Sequence, residues 1–395
     1  MININQVIED MDLKGNPSEH RVVVAMSGGV DSSVTAALLV EAGYDVVGLT
    51  MQLYDHGQAL QKKGACCAGS DINDARLVSN KLEIPHYVLN YENLFQDQVM
   101  EDFADSYLRG ETPIPCIRCN QTVKFTDMFD RAKKLGASAM ATGHYIRRKR
   151  DTDINLYKGI DPTKDQSYFL FATTKNQLEF LRFPLGSLTK KETRSVARKY
   201  NLDVAEKPDS QDICFVPNGK YADVVRKLRP GSIDIGDIVD IEGKRLGQHS
   251  GIIDYTIGQR KGIGIGGRKG VDDKDALLYV IALDEKKNQV IVGSKDYLAC
   301  KKIKITECNW IIKEPQNKEF KILVKLRNTS NPVEGKITVD FETGSSDLYF
   351  DVPQFGVSTG QAAVFYNTAD HDHVLGGGWI TNAPNKLDLN NTINA

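Results

Sequence analysis

The stretch Ser27-Gly28-Gly29-Val30-Asp31-Ser32-Ser33 restricts the possible folds more than any other part of the chain. It follows the apolar run Val22-Val23-Val24-Ala25-Met26 and precedes Val34-Thr35-Ala36-Ala37-Leu38-Leu39. That pattern predicts a buried strand, a glycine turn and a helix start. Paired glycines let a backbone approach a ligand closely, and the unbonded N–H groups of a helix start point at it with the positive end of the dipole. Such a turn suits a phosphate. Ser27, Ser32 and Ser33 add hydroxyl donors, whereas Asp31 would repel bare phosphate and suits a phosphate-bound Mg²⁺. No lysine completes a G-x-x-x-x-G-K-[ST] pattern, which argues against an ordinary P-loop. In isolation, Ser-Gly-Gly after a strand is equally a tight turn that caps a helix.

The full heptad resembles the pyrophosphate loop of the N-type ATP pyrophosphatases, which split ATP between its α and β phosphates and adenylate a carbonyl or carboxyl oxygen. The resemblance implies ATP and Mg²⁺ as ligands. The chain around it supports an α/β fold. Strand patterns at Val46–Met51 and His86–Leu89, with a helix pattern over Asp71–Leu82 between them, give β-α-β-α-β. The expected core is a doubly wound parallel sheet whose ligands sit at the carboxyl ends of its strands. Met51 lies at such an end, either lining an adenine slot or closing the core. Gly143, after the strand Ser138–Thr142, either lets a ligand approach or simply makes a turn.

At 395 residues, the chain exceeds what one core usually serves. Three parts are expected: an ATP-using catalytic domain over residues 1–217, a small central linking domain over 218–293, and a C-terminal antiparallel β-barrel with a frayed tail over 294–395. Glycine-punctuated short strands after Pro230 mark the change, and Lys302–Trp310, Lys321–Arg327, Gly335–Phe341 and Ala362–Tyr366 read as barrel strands. A net charge of −2 gives no global nucleic-acid signal. Phosphate contacts would therefore come from local clusters at Arg147–Arg150, Lys190–Lys199 and Arg260-Lys261. No apolar run has the length of a membrane span, and Met1–His20 lacks the marks of a signal or transit peptide, so no membrane partner and a cytoplasmic location are expected.

Seven cysteines, an odd number, suggest thiols rather than a disulfide framework. Cys119 has Arg118 beside it in a loop that Pro113 and Pro115 should hold extended, and Cys214 follows a polar loop. Both suit accessible, reactive thiols. Cys300 and Cys308 read as small buried hydrophobes.

The motifs A-M-S-G-G-V-D-S-S, G-E-T-P-I-P-C-I-R-C-N, A-T-G-H-Y, K-D-Q-S-Y-F-L, D-S-Q-D-I-C-F and T-I-G-Q-R-K-G-I-G-I-G-G, in this order, resemble the tRNA-specific 2-thiouridylases, the MnmA family. The resemblance spans about Val22 to Gly378. It implies adenylation of the C2 oxygen of the wobble uridine of tRNA, in the Lys, Glu and Gln isoacceptors, followed by sulfur transfer from a persulfide. A cysteine desulfurase or sulfur-relay protein is the implied donor. Carried over by position, Cys214 bears the persulfide and Cys119 is its catalytic partner, either attacking C2 or resolving the persulfide as a Cys119–Cys214 disulfide. Ala25, Met26, Ser27, Gly28, Gly29, Val30, Asp31, Ser32, Met51 and Gly143 match ATP-contacting positions. Ile114, Pro115 and Cys116 match those at the target base, and His144, Lys164, Asp165, Gln166, Arg327, Asn328 and Gln361 those touching tRNA.

One departure stands out. Many members carry P-N-P-D where this chain has Pro113-Ile114-Pro115-Cys116, so a general base at that aspartate position is in doubt here. Cys116 and Cys119 form a C-x-x-C that, with Cys214, would supply three thiolates to a [4Fe–4S] cluster. A zinc on the same pair lacks an apparent fourth ligand. Two other classes remain: a ligase related to argininosuccinate or GMP synthetase, which needs no paired thiols, and a non-catalytic tRNA-binding protein keeping the turn as a relic.

Overall fold

A computed structural model describes residues 3–53, 67–209, 213–216, 219–265, 277–313, 315 and 317–385. Ser210–Asp212 and Gly266-Gly267 of the motifs above lie outside the described residues, as does the tail beyond residue 385.

Five strands, β1 (Arg21–Ala25), β2 (Asp45–Gln52), β3 (His86–Asn90), β4 (Ala139–Ala141) and β7 (Leu181–Arg182), form a parallel sheet in the order β3-β2-β1-β4-β7. The order reverses between β1 and β4, which pair in register from Val22↔Ala139 to Val24↔Ala141. Ligands of such sheets bind at this fork, outside the carboxyl ends. Both glycine turns read from the sequence emerge there. The helix Val30–Glu41 packs its buried Val34, Ala37, Leu38 and Leu39 into the core on one face, as expected of a doubly wound sheet whose strands are apolar on both faces.

A second sheet joins the strands Gly236–Asp240, Arg245–His249, Tyr279–Asp284 and Gln289–Gly293. The C-terminal part is a closed barrel of six antiparallel strands, Ala299–Trp310, Ser345–Phe355, Val333–Asp340, Glu319–Lys325, Ala362–Tyr366 and His373–Asn382, closed by pairing of the first with the last. The hairpin β5 (Ile146–Arg150) and β6 (Ile154–Lys158) extends this sheet, with His373 opposite Tyr157.

Two barrel strands escaped the sequence reading. His373–Asn382 contains Gly376-Gly377-Gly378, a run that breaks ordinary strand patterning. The glycines are required by contact: a Cβ on Gly376 would lie 2.1 Å from the Asn309 carbonyl oxygen, and one on Gly377 2.6 Å from the Phe171 ring. The strand therefore closes the barrel and lets Phe171 pack against it. Gly376→Ala is expected to destabilise the protein by about 2 kcal/mol or more. Urea unfolding would show this, and an unchanged midpoint would contradict it.

Candidate active site

The turn after β1 is built by its own residues. Gly28 has φ +73°, and a Cβ there would lie 2.0 Å from the Asp71 carbonyl oxygen, so only glycine fits. Gly29 starts the helix Val30–Glu41, whose first turn no side chain caps. Ser32 Oγ accepts from the Ser27 amide at 3.1 Å and donates to the Gly29 carbonyl, while Ser33 Oγ donates to that carbonyl at 2.8 Å. Ser32 and Ser33 thus shape the loop, and the exposed Ser27 has its hydroxyl 3.3 Å from Ser32 Oγ. Val30 and Met26 are buried, Ala25 is half-buried, and half-buried Met51 closes β2 beside them.

Gly143 comes to the same place from β4. A Cβ on it would lie 2.9 Å from the backbone of both Asp31 and Ser32. The next residue, His144, is half-buried between Phe125 and Phe183, with Nδ1 2.8 Å from Thr142 Oγ1. Burial, helped by the charge of Lys124, pushes its imidazole down to about 3, so it is neutral at physiological pH.

The cysteine motif departs from expectation. Pro115 does not hold an extended loop; it opens a short helix, Pro115–Cys119, because a proline lacks only an N–H that a first helical turn leaves unbonded. That helix continues into a π-helical stretch, Asn120–Met128, a local widening often found at functional sites. Cys119 is buried, Cys116 half-buried and Cys214 exposed, and no disulfide joins them. Ile114 packs on the apolar core beside Ile117, and Pro115 is buried.

Arg118 does not serve the thiols. Its guanidinium pairs with Glu307 at 3.0 and 3.3 Å and stacks over Trp379 at 4.6 Å, fastening this helix to the barrel. The cation that faces the thiols is Lys124, which sequence reasoning missed. Cys119, Cys116 and Cys214 each act electrostatically on Lys124 and raise its pKa against the effect of burial. Among the described residues Lys124 is half-buried with no carboxylate at ion-pair distance. Its only signal in the sequence was a lone lysine between apolar Val123 and Phe125, five residues beyond Cys119, which a π-helix turns toward the same side.

Lys124 thus acts electrostatically on all three thiols, of which Cys119 is buried and Cys214 exposed. Burial raises the Cys116 and Cys119 thiols, with Lys124 opposing the rise in each case. Cys300 is buried in the barrel, and Cys308 is half-buried.

The residues expected at tRNA divide into two groups. Arg327 and Asn328 are exposed on the barrel, Arg327 donating to the carbonyls of Phe355 and Gly356. The others work internally. Gln361 donates to the Thr112 carbonyl at 2.7 Å, holding the loop before Ile114. Asp165 accepts from Ser167 Oγ at 2.7 Å, Gln166 accepts from the Tyr145 amide at 2.9 Å, and Lys164 pairs with Asp209 at 2.7 Å.

The basic clusters also need correction. Arg147 pairs with Asp372, buried Arg148 with Asp12, and Arg150 with Asp12 and Glu179. On the helix Lys190–Lys199, Lys190 and Arg194 pair with Asp209, Arg198 with Glu206 and Lys199 with Glu41. The wholly or partly buried Arg147, Arg148, Lys190 and Arg194 find their anions within the chain, whereas Lys149, Arg150, Lys191, Arg198 and Lys199 stay exposed. Arg260 and Lys261 are exposed.

Comparison with known proteins follows this division of the chain. Residues 20–218 match the profile described as the tRNA methyl transferase HUP domain, 224–294 the tRNA methyl transferase PRC-barrel domain, and 300–380 the aminomethyltransferase beta-barrel domain. The chain is 56% identical over 368 residues to the tRNA-specific 2-thiouridylase MnmA of Roseobacter denitrificans, covering 92% of this chain and 95% of that one. It is 54% identical over 379 residues to the tRNA-specific 2-thiouridylase MnmA of Parvibaculum lavamentivorans, covering 94% of each. Among solved structures, the U34-tRNA thiolase NcsA of Methanococcus maripaludis with its [4Fe-4S] cluster aligns at a TM-score of 0.36 and 16% identity. That alignment covers 58% of this chain and 73% of that one, too remote a likeness for a residue-level argument.

Raised thiol pKa values leave little thiolate at neutral pH. Alkylation of buried Cys119 by iodoacetamide, followed by peptide mass spectrometry, is expected to rise about tenfold per pH unit from 7 to 9 without levelling. A plateau below pH 8 would contradict the burial account.

Proposed function

The chain belongs to the tRNA-specific 2-thiouridylases, the MnmA family, and from that membership we propose how its residues replace the C2 oxygen of the wobble uridine of tRNA by sulfur at the expense of ATP. The observation that supports the reading is the approach of Gly143 to Asp31 and Ser32 of the phosphate turn, beside His144, together with the electrostatic action of Lys124 on His144 and on all three cysteines. On this reading the nucleotide turn and the sulfur atoms serve one base. The family profiles are described by methyl transfer, but the full-length relatives are named for thiolation, and paired thiols beside an ATP turn serve sulfur chemistry.

The N–H groups at the start of Val30–Glu41 and the Ser27 hydroxyl bind the phosphates, with Met51 and Gly143 lining the nucleotide. Mg²⁺ fits the Asp31 carboxylate, a hard oxygen ligand at the mouth of the turn, and supplies charge neutralisation for the polyphosphate. An amide-like carbonyl is a poor electrophile. Its C2 oxygen attacks the α-phosphorus and expels pyrophosphate, and C2 then carries AMP as a leaving group. The outer sulfur of a Cys214 persulfide attacks C2, and AMP departs with the former C2 oxygen. Cys119 thiolate next attacks the inner sulfur of Cys214, breaking the S–S bond. The products are 2-thiouridine, which takes its proton at N3, and a Cys119–Cys214 disulfide that an external dithiol must reduce. The reverse order, in which Cys119 first releases hydrosulfide that attacks C2, ends on the same disulfide. Exposed Cys214 suits loading by a persulfide-donor protein, and buried Cys119 suits a step shielded from water.

The [4Fe–4S] expectation does not fit the arrangement. Among the described residues no three His, Cys, Asp or Glu side chains converge to hold a metal ion, and a lysine faces the thiols. No step above runs through a cluster. Exposed Arg327 and Asn328 are proposed to meet tRNA phosphates, and the Lys, Glu and Gln isoacceptors are the proposed substrates. Among the described residues no helix is long and apolar enough to cross a membrane.

Mass spectrometry of tRNA nucleosides after incubation with ATP, Mg²⁺ and a persulfide donor tests the reading. Wild type is expected to form 2-thiouridine, and Cys119→Ser and Cys214→Ser to reduce it at least a hundredfold while still binding ATP. Thiolation persisting in Cys119→Ser would overturn the sulfur route. Iron-free protein is expected to be fully active, and a requirement for reconstituted iron would reverse the conclusion on the cluster.

A further inference from the structure

The phosphate turn has no lysine of its own, yet a lysine stands on it. Lys190 Nζ lies 2.7 and 2.8 Å from the two carboxylate oxygens of Asp31 and 2.8 Å from Asp209 Oδ1, with its side chain only 12% exposed. Its place is built in. Lys190 opens the helix Lys190–Lys199, whose Thr189 and Glu192 form a reciprocal cap. One turn later, Thr193 Oγ1 is 2.9 Å from the Tyr145 hydroxyl, which also lies 2.8 Å from Asp31 Oδ1. The helix is therefore pinned to the turn through two contacts with the same aspartate.

We propose that Lys190 is the second cation of the ATP site: it occupies Asp31 while nucleotide is absent and passes to the β- and γ-phosphates as Mg²⁺ takes the carboxylate. The inference rests on the reading of Ser27–Ser32 as the ATP turn. Its physical basis is a competition for anions. Asp209 is already shared among Lys164, Lys190 and Arg194, which lie 2.7, 2.8 and 2.8 Å from it. Burial would raise the Asp209 carboxyl, but hydrogen bonds from Lys164 and Lys190 hold it down at about 2, so it stays ionised. When Mg²⁺ claims Asp31, this single shared carboxylate leaves Lys190 short of negative charge, and the polyphosphate arriving with the metal supplies it. A lysine, as a compact point charge on a flexible stem, suits such a transfer. Lys207, the other cation at the turn, is committed elsewhere: it donates to the Gly28 carbonyl and pairs with Asp71 and Asp74.

Equilibrium binding of ATP and of AMP, measured by calorimetry over a range of Mg²⁺ concentrations, tests the proposal without any turnover. Lys190→Met is expected to weaken ATP at least tenfold and AMP less than twofold, because only the outer phosphates lose a partner, and Lys190→Arg to recover most of the loss. Asp209→Asn leaves Lys190 on Asp31 alone, so half-maximal ATP binding should need several-fold more Mg²⁺. Unchanged ATP affinity in Lys190→Met would overturn the proposal, as would equal losses of ATP and AMP or an unaltered Mg²⁺ requirement in Asp209→Asn. Wild-type protein that failed to bind ATP would instead defeat the reading of the turn on which the proposal stands.

Discussion

At the fork of the parallel sheet, two stretches of backbone touch with only hydrogen atoms between them. Gly143 lies against Asp31 and Ser32, and any side chain there would force the segments apart. The phosphate turn and the segment leading to His144 take their relative positions from that approach. Parallel strands make it possible, because the reversal of strand order between β1 and β4 opens a crevice that no crossover helix covers. Gly28 repeats the device on the other side, with its α-carbon against the Asp71 carbonyl.

The second organising principle is where charges end up. Several cations that look in sequence like a nucleic-acid surface are spent inside the protein, Arg148 on Asp12 and Arg194 on Asp209, and Arg118, expected to serve the thiol beside it, is spent on Glu307 and Trp379. Two cations are placed differently. Lys124 faces thiols, and Lys190 faces the aspartate of the nucleotide turn. Both lie where the proposed chemistry brings or creates negative charge. The barrel takes part as well, since Gln361 holds the Thr112 carbonyl and Trp379 holds Arg118. It thereby supports from behind the loop and helix that carry Cys116 and Cys119.

The strand, turn and helix around Ser27–Ser33 were legible because local rules suffice there: apolar strand residues, paired glycines and a helix start lie consecutively. The parallel sheet followed from alternating patterns, and the barrel from its β-rich segments. What could not be read depended on partners far away in sequence. The glycines of His373–Asn382 look like a strand breaker until Phe171 and Asn309 are seen to need the space. Arg147–Arg150 looks like an RNA patch until Asp12, Glu179 and Asp372 are found opposite. Pro115 reads equally as an extended loop or a helix start. Lys124 gave almost no signal, since its importance lies in facing Cys214, 90 residues away in the chain.

The central claim is that a single cleft activates one carbonyl carbon with ATP and then delivers sulfur to it. The most direct measurement follows the oxygen. With tRNA carrying ¹⁸O at C2 of the wobble uridine, the account predicts one ¹⁸O atom in each AMP released, matched one to one by 2-thiouridine. AMP carrying only solvent or ATP oxygen, with ¹⁸O lost to water, would contradict it.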